Sequence, residues 1–337
     1  MSWARQQQGR PARAPGYRLT IGGQLISPEL DARLMRLRLT DRRGFESDQL
    51  DITLSDHDGR LALPRRGVEL TLAIGWQHEG LVERGIFIVD EIEHSGAPDT
   101  LTIRARSADM RQQLPGKRSQ DWHELTLGDI IDAIAGRNDL DPAIGEALRG
   151  IYLDHIDQTD ESDLHFLTRL AEQYDAIATI KAGRLLFMPA GQGSTASGQA
   201  IDPVTLYRHQ GDSHRYTETD RDAFTGVRAY WHDPDAAERR EAIAGSEENL
   251  KSLRHTYATE DDAITAAKSE WQRIQRGGAE CSLTLAEGRP DLYPETPVTL
   301  SGFKAVIDAK PWIITEVSHE LSDTAYTCGV QMEILGM

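Results

Sequence analysis

The chain has 337 residues, 27% of them charged and 39% apolar, with a formal net charge of −17. That length exceeds one comfortable hydrophobic core, so two or three domains are expected, and no run of apolar residues approaches the 18 or so that a membrane-spanning helix requires. Arg5, Arg10, Arg13 and Arg18 give the first 18 residues +4, leaving −21 for the remainder; a body this acidic does not grip nucleic acid through counterion release.

Residues 1–16 are polar and Arg-bearing without an apolar stretch, which reads as a basic flexible arm and not a secretory signal. A cytoplasmic start is therefore expected, and Cys281 and Cys328, both on alternating apolar stretches, fit it as small buried hydrophobes.

From Tyr17 to Ser107 the hydrophobic period is two. Tyr17, Leu19 and Ile21 alternate with polar residues, as do Leu50, Ile52 and Leu54, then Val68, Leu70, Leu72 and Ile74, and later Leu101, Ile103 and Ala105. Such alternation turns one face of each strand inward. Asp56-His57-Asp58-Gly59 is expected as a hairpin turn, and Gly96-Ala97-Pro98-Asp99 as another. An antiparallel barrel or sandwich follows.

The middle third changes period. Thr126 and Asp129 form a capping box, Leu127, Ile130, Ile131 and Ile134 share a face, and Gly136 is expected to stop the helix. A second helix is predicted from Asp163 to Tyr174, then a strand pair over 176–189 turning at Ala182-Gly183. Residues 191–198 read as a flexible linker or exposed loop. Strands return after Val227 around a helix over about 259–276, whose acids Glu260, Asp261 and Asp262 open it and whose Arg273 and Arg276 close it. Ile264, Ala267, Trp271 and Ile274 are its expected buried face, and four alternating segments end the chain.

The two strand regions resemble each other. Phe87-Ile88-Val89-Asp90-Glu91-Ile92-Glu93-His94 lines up with Trp312-Ile313-Ile314-Thr315-Glu316-Val317-Ser318-His319. An Asp-Thr pair follows each, Asp99-Thr100 and Asp323-Thr324, and residues 64–70 are loosely echoed by 294–300. Three matching elements in one order argue for a duplicated barrel against a chance pair of hairpins.

Catalytic chemistry is hard to find. There is no phosphate-cradling loop, no His-Glu-x-x-His and no Gly-x-Ser-x-Gly elbow. Asp154, His155, Asp157 and His165 are the densest acid and histidine cluster, but Asp160 and Asp163 beside them suit a helix start better than a metal. Trp231-His232-Asp233-Pro234 reads as a strand end with a turn. No catalytic, cofactor-binding or metal residue is assigned. A cell-wall hydrolase or a glycan-binding module are the competing functions; aromatics at 6% give little support to the second.

Several stretches together resemble the phage late control gene D protein family. They are Tyr17-x-Leu19-x-Ile21-Gly22 and Ile26-Ser27-Pro28-x-Leu30, then Asp48-x-Leu50-x-Ile52-x-Leu54-x-Asp56 and Gly85-x-Phe87-x-Val89-Asp90-Glu91. Gln158-Thr159-x-Glu161-Ser162-Asp163-Leu164-x-Phe166-Leu167-x-Arg169-Leu170-Ala171 follows, then Gly288-Arg289-Pro290-Asp291-Leu292-x-Pro294 and Val298-x-Leu300-x-Gly302-Phe303. The resemblance implies an α+β, mainly β chain with two tail-tube-like antiparallel β-barrels joined by a mixed α/β middle. On that basis the expected division is an arm over 1–16, a first barrel over 17–115, a middle domain over 116–200 and a second barrel over 201–337 with the helix at about 259–276 inserted. It also implies a structural, non-enzymatic hub of a contractile phage tail: a homotrimer that adapts a hexameric tail tube to a trimeric central spike. Tape-measure and baseplate wedge proteins are further implied neighbours, with DNA met only in passage through the bore and no cofactor. Glu295 stands where relatives often carry Gly, so that loop is expected to bend differently.

Overall fold

The computed structural model describes residues 13–336, apart from residues 46–47, 109–115, 182, 220–223 and 235. Most of the basic arm, residues 1–12, and Ala182 of the expected turn thus lie outside the described residues.

The N-terminal part contains β1 (Pro15–Ile21), β2 (Gln24–Leu25), a one-turn α1 (Ser27–Leu30), β3 (Leu34–Arg42), β4 (Gln49–Ser55), β5 (Glu69–Trp76), β6 (Gly80–Ser95) and β7 (Thr100–Ser107). Strands β1, β4, β5 and β7 coincide with the period-two segments, and β4 shows why: Leu50, Ile52 and Leu54 are at most 2% exposed while Asp51 and Thr53 between them are not buried. Asp56–Gly59 is a turn, closed by Gly59 N–H donating to Asp56 O at 2.9 Å. It is not the expected hairpin, since β4 pairs with β3 and β7 while β5, the next strand, pairs with β1 and β6.

The middle part contains β8 (Lys117–Thr126), α2 (Leu127–Arg137), β9 (Asp141–Ile144), α3 (Glu146–Arg149), β10 (Tyr152–Ser162), α4 (Asp163–Gln173), β11 (Ala176–Lys181) and β12 (Arg184–Pro189). Its own hydrophobic cluster joins Ile130, Ile131 and Ile134 of α2 to Phe166, Leu167 and Leu170 of α4. The capping box at Thr126 and Asp129 is present. Gly136 does not stop α2: the helix continues to Arg137, and Asn138 ends it by donating its side-chain amide to Ile134 O at 2.8 Å.

The C-terminal part contains β13 (Val204–Tyr207), β14 (Gly211–Glu218), β15 (Gly226–Asp233), β16 (Glu238–Gly245), β17 (Leu250–Tyr257), α5 (Glu260–Arg276), β18 (Ala279–Leu285), β19 (Pro297–Ser301), a short α6 (Ala305–Asp308), β20 (Trp312–Leu321) and β21 (Tyr326–Ile334). Strands β15–β17 form a separate three-stranded sheet on which α5 lies. That core is made mainly of small residues, Ala229, Ala242, Ala244, Ala263 and Ala267 with Val227, so α5 sits close to the sheet. The expected helix face does turn towards it, with Ala267 fully buried and Ile264, Trp271 and Ile274 packed against the core but only partly buried. Residues 191–198 fit the exposed-loop alternative in their second half, where Thr195, Ser197 and Gly198 are exposed, but the stretch is anchored at its start. Gly191 is buried, accepts from Gly336 N–H at 2.8 Å and donates to Glu295 Oε2 at 3.0 Å.

Most remaining strands belong to one 13-stranded sheet whose main path runs β14-β18-β21-β20-β3-β4-β7-β6-β5-β1-β2, with β13 and β19 attached. The N-terminal and C-terminal strands therefore meet at one place, β3 against β20.

Candidate assembly interface

The resemblance between Phe87–His94 and Trp312–His319 extends to how the two strands are paired. On β6 the register against β7 slips between Val89 and Glu91; on β20 the register against β21 slips between Ile314 and Glu316. Those bulges fall at Asp90 and Thr315, the same place in the aligned sequences. A second pair matches as well: β3 slips against β4 between Leu34 and Arg36, and β14 slips against β18 between Gly211 and Ser213. Following the ladders outward makes β4 the counterpart of β18, β7 of β21 and β3 of β14.

Two of the looser echoes shift. The backbone contact Gly67 N–H to Val89 O at 2.7 Å matches Glu295 N–H to Ile314 O at 2.9 Å, so Gly67 corresponds to Glu295 and not to Pro297. The ladders also make Thr327, not Thr324, the counterpart of Thr100. Glu295 corrects a further expectation. Its φ of +67° lies in the same left-handed region as the +86° of Gly67, so the loop bends as a glycine would let it. The conformation is held by side-chain partners no glycine has: Arg43 Nε at 2.5 Å from Oε1 and Gly191 N–H at 3.0 Å from Oε2.

At the joint, Leu37–Arg42 of β3 run antiparallel to Glu316–Leu321 of β20. On the solvent face Arg42 Nε lies 2.9 Å from Glu316 Oε2 and Arg36 Nη2 2.6 Å from Glu320 Oε2. The inner face is a buried polar cluster. Arg84, its side chain 1% exposed, reaches Asp41 Oδ2 at 3.0 Å and donates to Pro290 O at 2.7 Å, with Leu292 O at 3.4 Å. Trp76 Nε1–H donates to Gly288 O at 3.0 Å. The Gly288-Arg289-Pro290-Asp291-Leu292 stretch singled out in the sequence is thus the loop that N-terminal side chains grasp through its carbonyls. Gly288 is required there because a Cβ would stand 2.4 Å from the Tyr326 ring.

Behind Arg84, His319 Nδ1 lies 2.9 Å from Tyr326 Oη and 3.0 Å from Cys328 Sγ, and its Nε2 is 3.9 Å from Asp41 Oδ2. Cysteine, histidine and aspartate in that order suggest a nucleophile, but the electrostatics oppose one. Burial pushes the Cys328 thiol up to about 11, and burial reinforced by Arg84 holds His319 well below the ordinary histidine value. A protonated thiol without solvent access is not a nucleophile. Burial and then the neighbouring Asp48 lift Asp41 to about 6 against the pull of Arg84 and Lys181.

The acid and histidine cluster of the middle part is split. Asp154, His155 and Asp157 lie on β10 beside an open cleft of about 510 Å³; His155 stacks on His123, with their Nδ1 atoms 3.0 Å apart, and its Nε2 is 2.9 Å from Asp157. His165 contributes its backbone N–H to Ser162 Oγ, the cap of α4, and Asp160 pairs with Lys117. Asp163 turns inward: its side chain is 1% exposed and accepts from Arg137 Nε at 2.8 Å, Gln158 at 2.8 Å and Asn138 at 2.9 Å. Burial works to raise its pKa, but the hydrogen bonds from Arg137, Gln158 and Asn138 keep it below the ordinary carboxylate value. Among the described residues no group of three or more His, Cys, Asp or Glu side chains stands where it would hold a metal. Nor is any helix among them long and apolar enough to cross a membrane.

The comparisons with known proteins point to the tail of a phage. The family model described as phage tail baseplate hub (GPD) matches residues 42–325. The chain is 43% identical to the probable baseplate hub protein of Escherichia phage 186, over 95% of this chain and 93% of that one. Among solved structures it resembles the tail protein from Neisseria meningitidis MC58, at a TM-score of 0.70 and 14% identity over 95% of this chain and 96% of that one. It also resembles the E. coli c3393 protein, a component of the type VI secretion system described as structurally similar to the T4 bacteriophage tail proteins gp27 and gp5, at a TM-score of 0.55 and 14% identity over 94% and 76%. The family match over most of the chain, with a close relative along nearly its full length, places this protein in the phage tail baseplate hub family, as a structural and non-enzymatic component of the virion tail.

Proposed function

We propose that the chain works as a homotrimer, a ring of six similar strand units that joins a sixfold tail tube to a threefold central spike in a contractile machine. The observation that carries this reading is the internal correspondence between the β3–β7 and β14–β21 strand sets, bulge for bulge. Three chains with two similar units each present six similar surfaces on one side while keeping threefold symmetry on the other. Residues 17–115 and 201–337 are the two units in this reading, with 116–200 between them. Likeness of the E. coli neighbour to gp27 and gp5 supports the same setting. Tube and spike proteins are the proposed direct partners, with the tape-measure protein in the bore and wedge proteins outside.

Part of the −21 carried beyond Arg18 is proposed to line the bore, where like charge keeps passing phosphates from sticking. Electron microscopy of purified tails carrying a tagged copy tests the placement. A threefold ring between tube and spike is expected, and a tag along the tube or sheath would overturn it.

A further inference from the structure

One joint between the two units is already made inside the chain, and each unit leaves its other edge open. Strand β20 uses one edge twice. Trp312 and Ile313 pair with β19, and beyond the bulge Glu316–Leu321 pair with β3. Its counterpart β6 pairs with β5 over Gly80–Ile88 in the same way. Beyond the bulge, however, no strand among the described residues pairs that edge of Glu91–Ser95. The counterpart of β3 is also open: β14 ends the sheet path, and among the described residues it is paired only with β18.

Exposure tells the same story. Val317 and His319, which face inward at the joint, are 0% exposed. Their counterparts Ile92 and His94 are half-buried and exposed, the His94 side chain at 41%. Inward-facing positions of one unit are covered by a neighbour, and the same positions of the other unit await one.

We infer that β14 of one copy pairs antiparallel with Glu91–Ser95 of β6 in the next copy, in the register of the internal β3–β20 joint. Transferring that register sets Ile92 against Glu218, Glu93 against Thr217, His94 against Tyr216 and Ser95 against Arg215. The joint is head-to-tail, open edges meeting their complements, so it propagates around an axis and closes only when the rotation does. Charge agrees: Arg215 lands on the face that carries Glu91 and Glu93, diagonal to Glu93. An open edge with this much unpaired backbone is also a liability for a lone chain, which the partner copy removes.

This inference rests on the trimeric reading, and its test separates the two. Opposed strand residues bring their Cα atoms to about 4.5–5.5 Å, within disulfide range. The double variant Glu93→Cys with Thr217→Cys is oxidised and run on a denaturing gel, beside Glu91→Cys with Arg215→Cys, a pair four residues out of register. Light scattering measures the mass of the unoxidised proteins. A trimer in which only the first pair gives covalent dimers and trimers supports the register. A trimer that stays non-covalent with the first pair, or bonds through the second, overturns the register but leaves the trimer standing. A wild-type monomer overturns the trimeric reading itself. Hydrogen exchange on the unmodified protein provides an independent readout: slow amides at 92–95 and 215–218 are expected, and fast exchange there in a trimer refutes the joint.

Discussion

Replacing Arg84 with Met probes the internal joint at its centre. The methionine fills much of the aliphatic volume but leaves Asp41, whose side chain is 8% exposed, without its 3.0 Å partner, and strips Pro290 O of its 2.7 Å donor. Breaking a buried ion pair by removing one partner costs about 3–5 kcal/mol. Asp41 is already lifted to about 6, so at pH 7 it takes up a proton at roughly 1.4 kcal/mol per unit and holds the loss near the lower end of that range. In the Asp41→Asn background the stranded charge is gone, so the same replacement costs less and the two changes couple by more than about 1 kcal/mol. Urea unfolding followed by tryptophan fluorescence reads this, with an unchanged slope showing that only stability moved. The pH dependence adds a sign. A carboxyl whose folded pKa lies above its unfolded 3.8 contributes most stability below that value and loses it as pH rises through about 6. Asp41→Asn should therefore flatten the stability profile between about pH 4 and 6. Additivity within about 0.5 kcal/mol, or an unchanged profile, refutes the reasoning.

Asp163→Ala leaves Arg137, Gln158 and Asn138 facing an empty acceptor site, and is expected to destabilise the middle part by about 3 kcal/mol or more in thermal unfolding. Because hydrogen bonding holds this carboxyl low, its contribution is present above the unfolded carboxylate range and lost as pH falls through the lower folded value. Glu295→Gly relieves a left-handed backbone yet removes one of the two carboxylates paired with Arg43, leaving Glu333, and the acceptor of Gly191 N–H, so a net loss of about 1–2 kcal/mol is expected from urea midpoints. Reversing several bore-facing carboxylates to Lys should slow genome ejection in a dye-release assay without reducing tail assembly; unchanged kinetics argue against an acidic bore.

Local signals were legible. Period-two alternation located β1, β4, β5 and β7, since β4 and β7 keep one wetter face along their length and β5 alternates at its start before burying both faces from Leu72 on; the capping residues Thr126 and Thr259 marked two helix starts to the residue. Partnership across distance was not. Nothing in alternation says that β3 meets β20, some 280 positions away, or that β15–β17 leave the large sheet for one of their own. Asp163 was visible as a first-turn acid, but its burial depends on Arg137 of another helix, which no spacing rule reports. The seam was half visible. His94 and His319 stood in register in the sequence, yet only the strand ladders show that one is covered and the other open.

Solution mass tests the central claim most directly. Native mass spectrometry of the full chain should give three times its 37.5 kDa. A protein that stays monomeric across micromolar concentrations contradicts the ring.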